Sequence, residues 1–313
     1  MLVTTVRLWL RRRLAWTRRL WPARARWRAV IAAALVAAVF AAGAATVILS
    51  RPGRTGQAGA PAAAALASAA AVRQQAAAWV ASQANPDAIV ACDPAMCAAL
   101  QAHGVPAGRL LVLTPARSDP LGSDLVVATA AVRSQFGARL AGVYAPVAVA
   151  VFGSGAARID VRTVAPEGAP AYLAGLATDL RARKAAGALM LHNSHIHVAP
   201  AGRAALTAGE IDPRLLVTLA TLAHLHPLNI TGFGSPGPGA SAGVPLRSAD
   251  ITAAAAPGSH HLVSLPALMA ILQAQRPPYL PASLEIVRVP RGGAVLRIEY
   301  PVPSPLGLLG SGG

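Results

Sequence analysis

The sequence predicts an α/β or α+β region lying outside the cytoplasm, behind a single N-terminal transmembrane helix. Three observations lead to this prediction: an uncharged apolar run over residues 29–49, a Gly/Pro/Ala-rich stretch over residues 50–70, and short apolar runs that alternate with helix signals from residue 71 onward. Strand, helix and strand in alternation are typical of α/β units with parallel strands.

The apolar run is long enough to cross a bilayer. Residues 29–49 are 21 consecutive residues without a charge. At a rise of about 1.5 Å per residue, they span about 30 Å, the thickness of a hydrocarbon core. A cleavable signal peptide is the alternative, but its apolar region is usually about 7–15 residues long. We therefore expect an uncleaved anchor in the lipid bilayer.

The basic tail before the anchor sets the expected topology. Residues 1–28 carry nine arginines and no acid, which places the N-terminus in the cytoplasm and the C-terminal region outside it. We expect these arginines to contact anionic lipid headgroups. The whole chain has 28 Lys/Arg against 12 Asp/Glu, a balance that also raises the question of nucleic acid. Because the basic block adjoins the apolar run, we interpret it as a topology signal and expect no nucleic-acid partner.

After a linker over residues 50–70, the first block, residues 71–166, is predicted as a small α/β domain. Asp93 and Pro94 have the residue types of an N-cap and a first helical position, and Gly104 suits the end of that helix. A second helix is expected over residues 72–83. The predicted strands are 88–91, 110–113, 125–128, 147–152 and 157–164, the last two joined as a hairpin.

The second block, residues 167–301, is predicted as another α/β or α+β domain, followed by a flexible tail over residues 302–313. The predicted helices are 171–184, 213–224 and 265–273. The predicted strands are 228–233, 284–289 and 294–300, and the last two form a hairpin.

Cys92 and Cys97 are the only cysteines. Two cysteines outside the cytoplasm favour a structural disulfide. A redox pair is the alternative, because a helix N-terminus lowers the pKa of a thiol. The C-x4-C spacing departs from the C-x-x-C of redox motifs, so the structural disulfide is preferred.

Two glycine motifs occur in the second block. Residues 232–237 spell G-x-G-x-x-G, but a Gly/Pro stretch follows where a dinucleotide site needs a helix. Residues 239–243 spell G-x-S-x-G around Ser241 without the strand and helix of a nucleophile elbow. Both are interpreted as a flexible loop, and no catalytic or cofactor-binding residue is assigned.

Histidines and one acid provide candidate metal ligands. A zinc site needs three or four converging donors. His195 and His197 face the same side if the chain there is extended. The candidate ligands are His195, His197, Asp250, His260 and His261. The preferred interpretation is that these histidines are scattered and that no cofactor is bound.

Residues 241–251 read S-A-G-V-P-L-R-S-A-D-I. This stretch resembles the S-x-H-x-x-G-x-A-x-D motif of exported zinc-dependent DD-carboxypeptidase-like domains, with Ser241 and Asp250 at matching positions. Gly243 stands where that family has its zinc-binding histidine, so the resemblance implies a degenerate, non-catalytic relative. The exported region also resembles uncharacterised membrane-anchored exported proteins of actinobacteria.

These observations favour a membrane-tethered protein of the cell envelope that acts as a non-catalytic binding or assembly module for an envelope protein or polymer. The alternative is a zinc-dependent cell-wall peptidase or related hydrolase that uses the histidines and Asp250. A third hypothesis is a redox or sensory domain that uses Cys92 and Cys97.

Overall fold

The computed structural model describes residues 59–115, 119–234, 237–241, 243–254, 263–289 and 293–310. The predicted basic tail 1–28 and transmembrane helix 29–49 lie outside these residues. Among the described residues, no helix combines the length and the apolar character needed to cross a membrane. Pro61–Gly313 form one compact unit that contains two mixed sheets, so the chain has the predicted mixture of helices and strands.

The first sheet confirms the five strands predicted in the first block. They are β1 (Val90–Cys92), β2 (Leu110–Val112), β3 (Leu125–Ala128), β4 (Val147–Phe152) and β5 (Ile159–Thr163). Their order is β2-β1-β3-β5-β4, with β1, β2 and β3 parallel and with β4 and β5 as an antiparallel hairpin. Every residue of β1 and β3 is buried, as expected for strands covered on both faces.

Helices cover both faces of this sheet. They are α1 (Gly59–Gln83), α2 (Pro94–Ala102) and α3 (Ala130–Phe136). The Asp93 carboxylate caps α2 by accepting hydrogen bonds from the backbone N–H groups of Ala95 and Met96, at 2.9 and 3.0 Å, which confirms the predicted helix start. The sequence did not predict α3. Helix α1 begins inside the segment predicted as a linker, because alanine favours helix even without a packing partner.

The predicted disulfide joins Cys92, at the end of β1, to Cys97, in the first turns of α2. The two Cα atoms are 5.4 Å apart, within the range that a disulfide requires. Both residues are buried, with 0% and 3% of their surface exposed. The bond therefore connects a central strand to the helix that packs on it.

The second sheet belongs to the second block. Its strands are β6 (Ile196–Val198), β7 (Leu228–Gly234), β8 (Ser248–Ala253), β9 (Ser283–Val289) and β10 (Gly293–Glu299), in the order β6-β7-β8-β10-β9. Only β6 and β7 are parallel. The helices of this block are α4 (Ala169–His192), α5 (Pro200–Ala208), α6 (Pro213–Leu225) and α7 (Leu265–Gln273). One face of the sheet packs on a core rich in leucine and isoleucine, and the other is largely polar.

Three elements of this block were missing from the prediction: β6, α5 and β8. No strand was predicted around Asp250, which was wrong, because Asp250 lies within β8. In β8 only Ala249 and Ile251 are buried, and the alternate positions are polar or small. The apolar side of β8 is therefore too short to stand out in the sequence.

The C-terminal segment also differs from the prediction, because residues 302–310 pack against the protein instead of forming a free tail. Val302 is 1% exposed and lies in the core of the first block. Its N–H donates to the carbonyl of Gln83, and its own carbonyl accepts from Asn85, so it pairs beside the end of α1. The division of residues 71–301 into two domains, 71–166 and 167–301, remains a prediction.

Candidate functional site

A cleft of about 510 Å³ opens on the polar face of the second sheet. Its floor is formed by β7, β8 and β10, and the end of α1 contributes one wall. The lining residues are Gln83, Gly232, Phe233, Gly234, Gly237, Ser248, Asp250, Arg297 and Glu299. This is the size of a small-molecule or polymer-side-chain site, and charged groups line much of it.

Four of these residues form two neighbouring cross-strand pairs, because β8 and β10 pair in antiparallel register. Asp250 lies opposite Arg297, and Ser248 lies opposite Glu299. Directly opposed residues have Cβ atoms about 5 Å apart and side chains on the same face of the sheet. The register of two strands therefore brings two acids, one base and one hydroxyl together.

Asp250 and Arg297 form a bidentate ion pair. Arg297 Nε and Nη2 donate to the two carboxylate oxygens of Asp250, each at 2.8 Å. This hydrogen bonding and the charge of Asp250 raise the pKa of Arg297 above its ordinary value. Both oxygens of Asp250 thus have a fixed partner. A carboxylate held in this way is less available as a metal ligand or a general base.

Glu299 has no such partner. No Lys or Arg nitrogen in the described part of the chain lies within 4.0 Å of its carboxylate. Ser248, opposite it, donates its hydroxyl hydrogen to the carbonyl oxygen of Gly234 at 2.7 Å. The Ser248 oxygen therefore presents acceptor lone pairs toward the cleft side of the sheet.

Gln83 is connected to a buried arginine behind the cleft. Arg247 donates to the side-chain oxygen of Gln83 at 3.4 Å and to the backbone carbonyl of Tyr300 at 2.6 Å. Burial lowers the pKa of Arg247 to about 10, against the opposing influence of the negative charges of Asp212 and Glu299. Gln83 thus carries a contact between α1 of the first block and the start of β8 in the second.

The G-x-G-x-x-G motif shapes this cleft. Gly232 and Gly234 belong to β7, as the strand predicted over 228–233 anticipated for Gly232, whereas the interpretation of Gly234 as part of a flexible loop was wrong. A Cβ at Gly232 meets no atom within 4 Å, so the absent side chain leaves open space above the sheet. Gly237 has φ +76 and lies against the Trp79 indole. The next described element is strand β8, whereas a dinucleotide motif requires a helix there.

The G-x-S-x-G segment adds to the edge of the first sheet. Ala240 pairs with Ala150 of β4, and the Ser241 N–H donates to the carbonyl of Val149 at 3.0 Å. The Ser241 hydroxyl is buried and has no hydrogen-bond partner among the described atoms. Ser241 therefore lies in an extended segment paired with β4, which differs from the strand–turn–helix arrangement of a nucleophile elbow.

Among the described residues, the candidate metal ligands His195, His197 and Asp250 do not lie together. His195 is exposed, and its Nδ1 lies 3.2 Å from the carbonyl of Ala223. His197 is exposed on β6, and β7 separates it from Asp250 on β8. Two strand spacings amount to about 10 Å, whereas zinc ligands lie about 2 Å from their metal. His260 and His261 lie outside the described residues. Within the described part of the chain, no group of three His, Cys, Asp or Glu residues is placed to hold a metal, so the donors there do not fit a zinc site.

Sequence reasoning missed Gln83, Arg297 and Glu299. The strand prediction over 294–300 already placed Arg297 and Glu299 at alternate positions of a strand, where they share one face. Nothing in the local sequence indicates Gln83, which reaches the cleft through the packing of α1.

Comparisons of the chain with known protein families, with curated proteins and with solved structures give no match.

Proposed function

We propose that this chain is a membrane-tethered protein of the cell envelope whose exported region is a non-catalytic binding module. The cleft on the open face of the second sheet is its ligand site, and the ligand is a polar group of an envelope polymer. The tether and the location outside the cytoplasm rest on the 21-residue uncharged run and on the nine arginines that precede it.

The Asp250–Arg297 pair carries the binding proposal. It places a carboxylate and a guanidinium in the floor of a cleft of about 510 Å³, with the groups of Glu299, Ser248 and Gln83 beside it. Such an arrangement supplies both donors and acceptors to a ligand. It shows no engaged pair of a nucleophile and a base, because both oxygens of Asp250 accept hydrogen bonds from Arg297 and the hydroxyl hydrogen of Ser248 is donated to the Gly234 carbonyl and not to Glu299.

Filling the cleft tests this proposal. The Gly232→Trp substitution places a large ring in the open space above the sheet, and His197→Trp adds the same ring at an exposed position of β6 as a matched control. The full chain, purified in detergent, is sedimented with isolated cell-wall polymer. We expect wild type and His197→Trp to co-sediment with the polymer and Gly232→Trp to stay in solution. Equal sedimentation of all three chains would show that the cleft does not bind the polymer.

The zinc-dependent peptidase hypothesis makes a different prediction for the same purified chain. Elemental analysis is expected to find much less than one zinc per chain, and cell-wall fragments are expected to remain intact. Near-stoichiometric zinc, together with hydrolysis that Asp250→Ala abolishes, would overturn the non-catalytic proposal.

The tether has its own test. Substituting Val36→Arg and Val39→Arg places two charges near the centre of the apolar run, each unfavourable by about 3 kcal/mol in a bilayer. We expect the wild-type chain to remain in membranes at alkaline pH with its C-terminal region open to external protease. The double variant is expected to lose membrane retention. A wild-type chain extracted at alkaline pH would contradict the anchor.

A further inference from the structure

One corner of the cleft presents oxygen acceptors around a carboxylate, Glu299, that forms no ion pair within 4.0 Å in the described part of the chain. Glu299 lies in register between Ser248 on β8 and Ser283 on β9. Gln83 lines the same cleft from the end of α1. The corner therefore combines one carboxylate with hydroxyl and amide oxygens from three other elements.

Two of these oxygens are fixed as acceptors. Ser248 uses its only hydroxyl hydrogen on the carbonyl of Gly234, at 2.7 Å, so its lone pairs remain for a ligand. The side-chain oxygen of Gln83 is oriented by the contact with Arg247, at 3.4 Å. A ligand that enters this corner thus meets acceptors whose directions are already set.

Neither neighbouring arginine forms an ion pair with Glu299 within 4.0 Å, although the charge of Glu299 acts to raise the pKa of both Arg247 and Arg297. Arg297 forms its bidentate pair with Asp250, and Glu285 lies opposite Arg297 on its other side, on β9. Arg247 donates to the carbonyl of Tyr300 and to Gln83, and it has no ion pair within 4.0 Å among the described residues. The open face of these three strands therefore carries three carboxylates against one guanidinium, although the chain as a whole has a net charge of +16.

We infer that this corner binds a primary ammonium group on the envelope polymer, with Glu299 as counter-ion and with Ser248 and Gln83 as hydrogen-bond acceptors. An ammonium group has three N–H donors, which match one carboxylate and two further oxygens. A neutral hydroxyl ligand would leave the charge of Glu299 unmatched. The inference rests on the proposed function, because it names the chemical class that the cleft recognises.

Titration calorimetry with a small amine tests the inference on the full chain in detergent. The probe is Nα-acetyl-lysine methylamide, and the same molecule acetylated on its side-chain nitrogen is the neutral comparison. We expect the charged probe to bind and the neutral probe to show no measurable binding. Glu299→Gln is expected to weaken binding of the charged probe about ten- to hundredfold, the range of a hydrogen bond to a charged group.

Glu285→Gln is the matched control, because it removes the same charge from the same sheet face outside the cleft lining. We expect it to leave the affinity for the amine within about twofold of wild type, since rim charges contribute little. Equal losses in Glu285→Gln and Glu299→Gln would indicate non-specific attraction and overturn the site. Equal binding of the charged and neutral probes would overturn the ammonium class.

The polymer separates this inference from the proposed function. Acetylating the free amines of the cell-wall polymer is expected to abolish its co-sedimentation with the wild-type chain. If acetylated polymer still binds wild type but not Gly232→Trp, the cleft is the binding site and the ammonium inference is wrong. If Gly232→Trp binds the polymer as well as wild type does, the proposed function itself fails.

Discussion

Asp212 and Arg214 form an ion pair that is closed to solvent, with Arg214 Nη2 2.9 Å from Asp212 Oδ2 and with side chains 4% (Arg214) and 0% (Asp212) exposed. Arg214 also donates to the carbonyl of Pro301 at 2.7 Å, and the Ser304 hydroxyl donates to Asp212. The pair therefore fixes the segment that carries Val302 into the core of the first block. The ion pair at the start of α6, in the second block, thus holds a segment that packs into the core of the first block.

Removing one member of this pair is expected to destabilise the protein strongly. Asp212→Ala leaves the buried Arg214 guanidinium without its counter-ion, which lowers the free energy of unfolding by about 3–5 kcal/mol. The control is Asp87→Ala, which breaks the pair with Arg109, where the Asp87 side chain is 82% exposed, and changes stability by less than about 1 kcal/mol. Urea unfolding of the full chain measures both. Similar small effects would contradict the structural role of the buried pair.

Tyr300 makes stability depend on pH in the alkaline range. Its hydroxyl donates to the carbonyl of Tyr279 at 2.8 Å and lies 2.7 Å from the Thr218 hydroxyl. Burial raises the pKa of Tyr300 to about 12, whereas an unfolded tyrosine titrates near pH 10. The phenol is therefore protonated in the folded chain over a range where it ionises in the unfolded chain. Its contribution to stability is complete below about pH 10 and is lost as pH rises toward 12.

The Tyr300→Phe variant isolates this effect, because phenylalanine does not titrate. At pH 7 we expect the variant to be less stable by about 1–3 kcal/mol, since it leaves the two partners of the hydroxyl unsatisfied. Between pH 10 and 12 the wild-type advantage is expected to shrink by about 2 kcal/mol. The lowered pKa of Arg247 makes stability rise over the same pH range. Wild type and variant both contain Arg247, so this contribution cancels in the difference between them. A stability difference that stays constant over pH 8–12 would contradict the raised pKa.

Much of the secondary structure could be predicted because its signals are local. The Asp93–Pro94 pair specifies the start of α2, and the strand over residues 125–128 and the helix over residues 265–273 have the predicted bounds. Strand β8 escaped prediction because its register with β7 and β10, rather than its own apolar content, makes it a strand. Local sequence does not contain that register.

The candidate site was less predictable for the same reason. Arg297 meets Asp250 across a sequence separation of 47 residues, through the pairing of strands that are distant in the chain. Gln83 reaches the cleft from a helix of the other block. The glycines of residues 232–237 were noticed as a motif, but their role follows from the sheet face they leave open. Individual residue types were visible in the sequence, whereas their convergence depends on tertiary packing.

Gly187 allows the close approach of α4 and α5. A Cβ at this position would lie 2.3 Å from the carbonyl oxygen of Leu206, a backbone atom that does not move easily. Alanine favours helix over glycine by up to about 1 kcal/mol, but the overlap outweighs that gain. We expect Gly187→Ala to lower the free energy of unfolding by about 1–3 kcal/mol.

Gly142→Ala is the control for this substitution, because a Cβ there meets no atom within 4 Å. It is expected to leave stability unchanged or slightly increased, through the smaller conformational freedom of the unfolded chain. Urea unfolding of both variants measures whether each substitution raises or lowers the free energy of unfolding. A Gly187→Ala chain more stable than wild type would contradict the contact between the two helices.

The Cys92–Cys97 bond is expected to act as a structural staple. Closing so short a loop stabilises a protein by about 2 kcal/mol in the chain-entropy model. Unfolding the chain with and without strong reductant is expected to show that difference. Because the cysteines are 0% and 3% exposed, glutathione is expected to leave the bond intact in the folded chain and to reduce it after denaturation. Thiol titration counts the free sulfhydryls in each case. Release of two thiols from the folded chain at a glutathione concentration typical of the cytosol would contradict the staple and favour a redox pair.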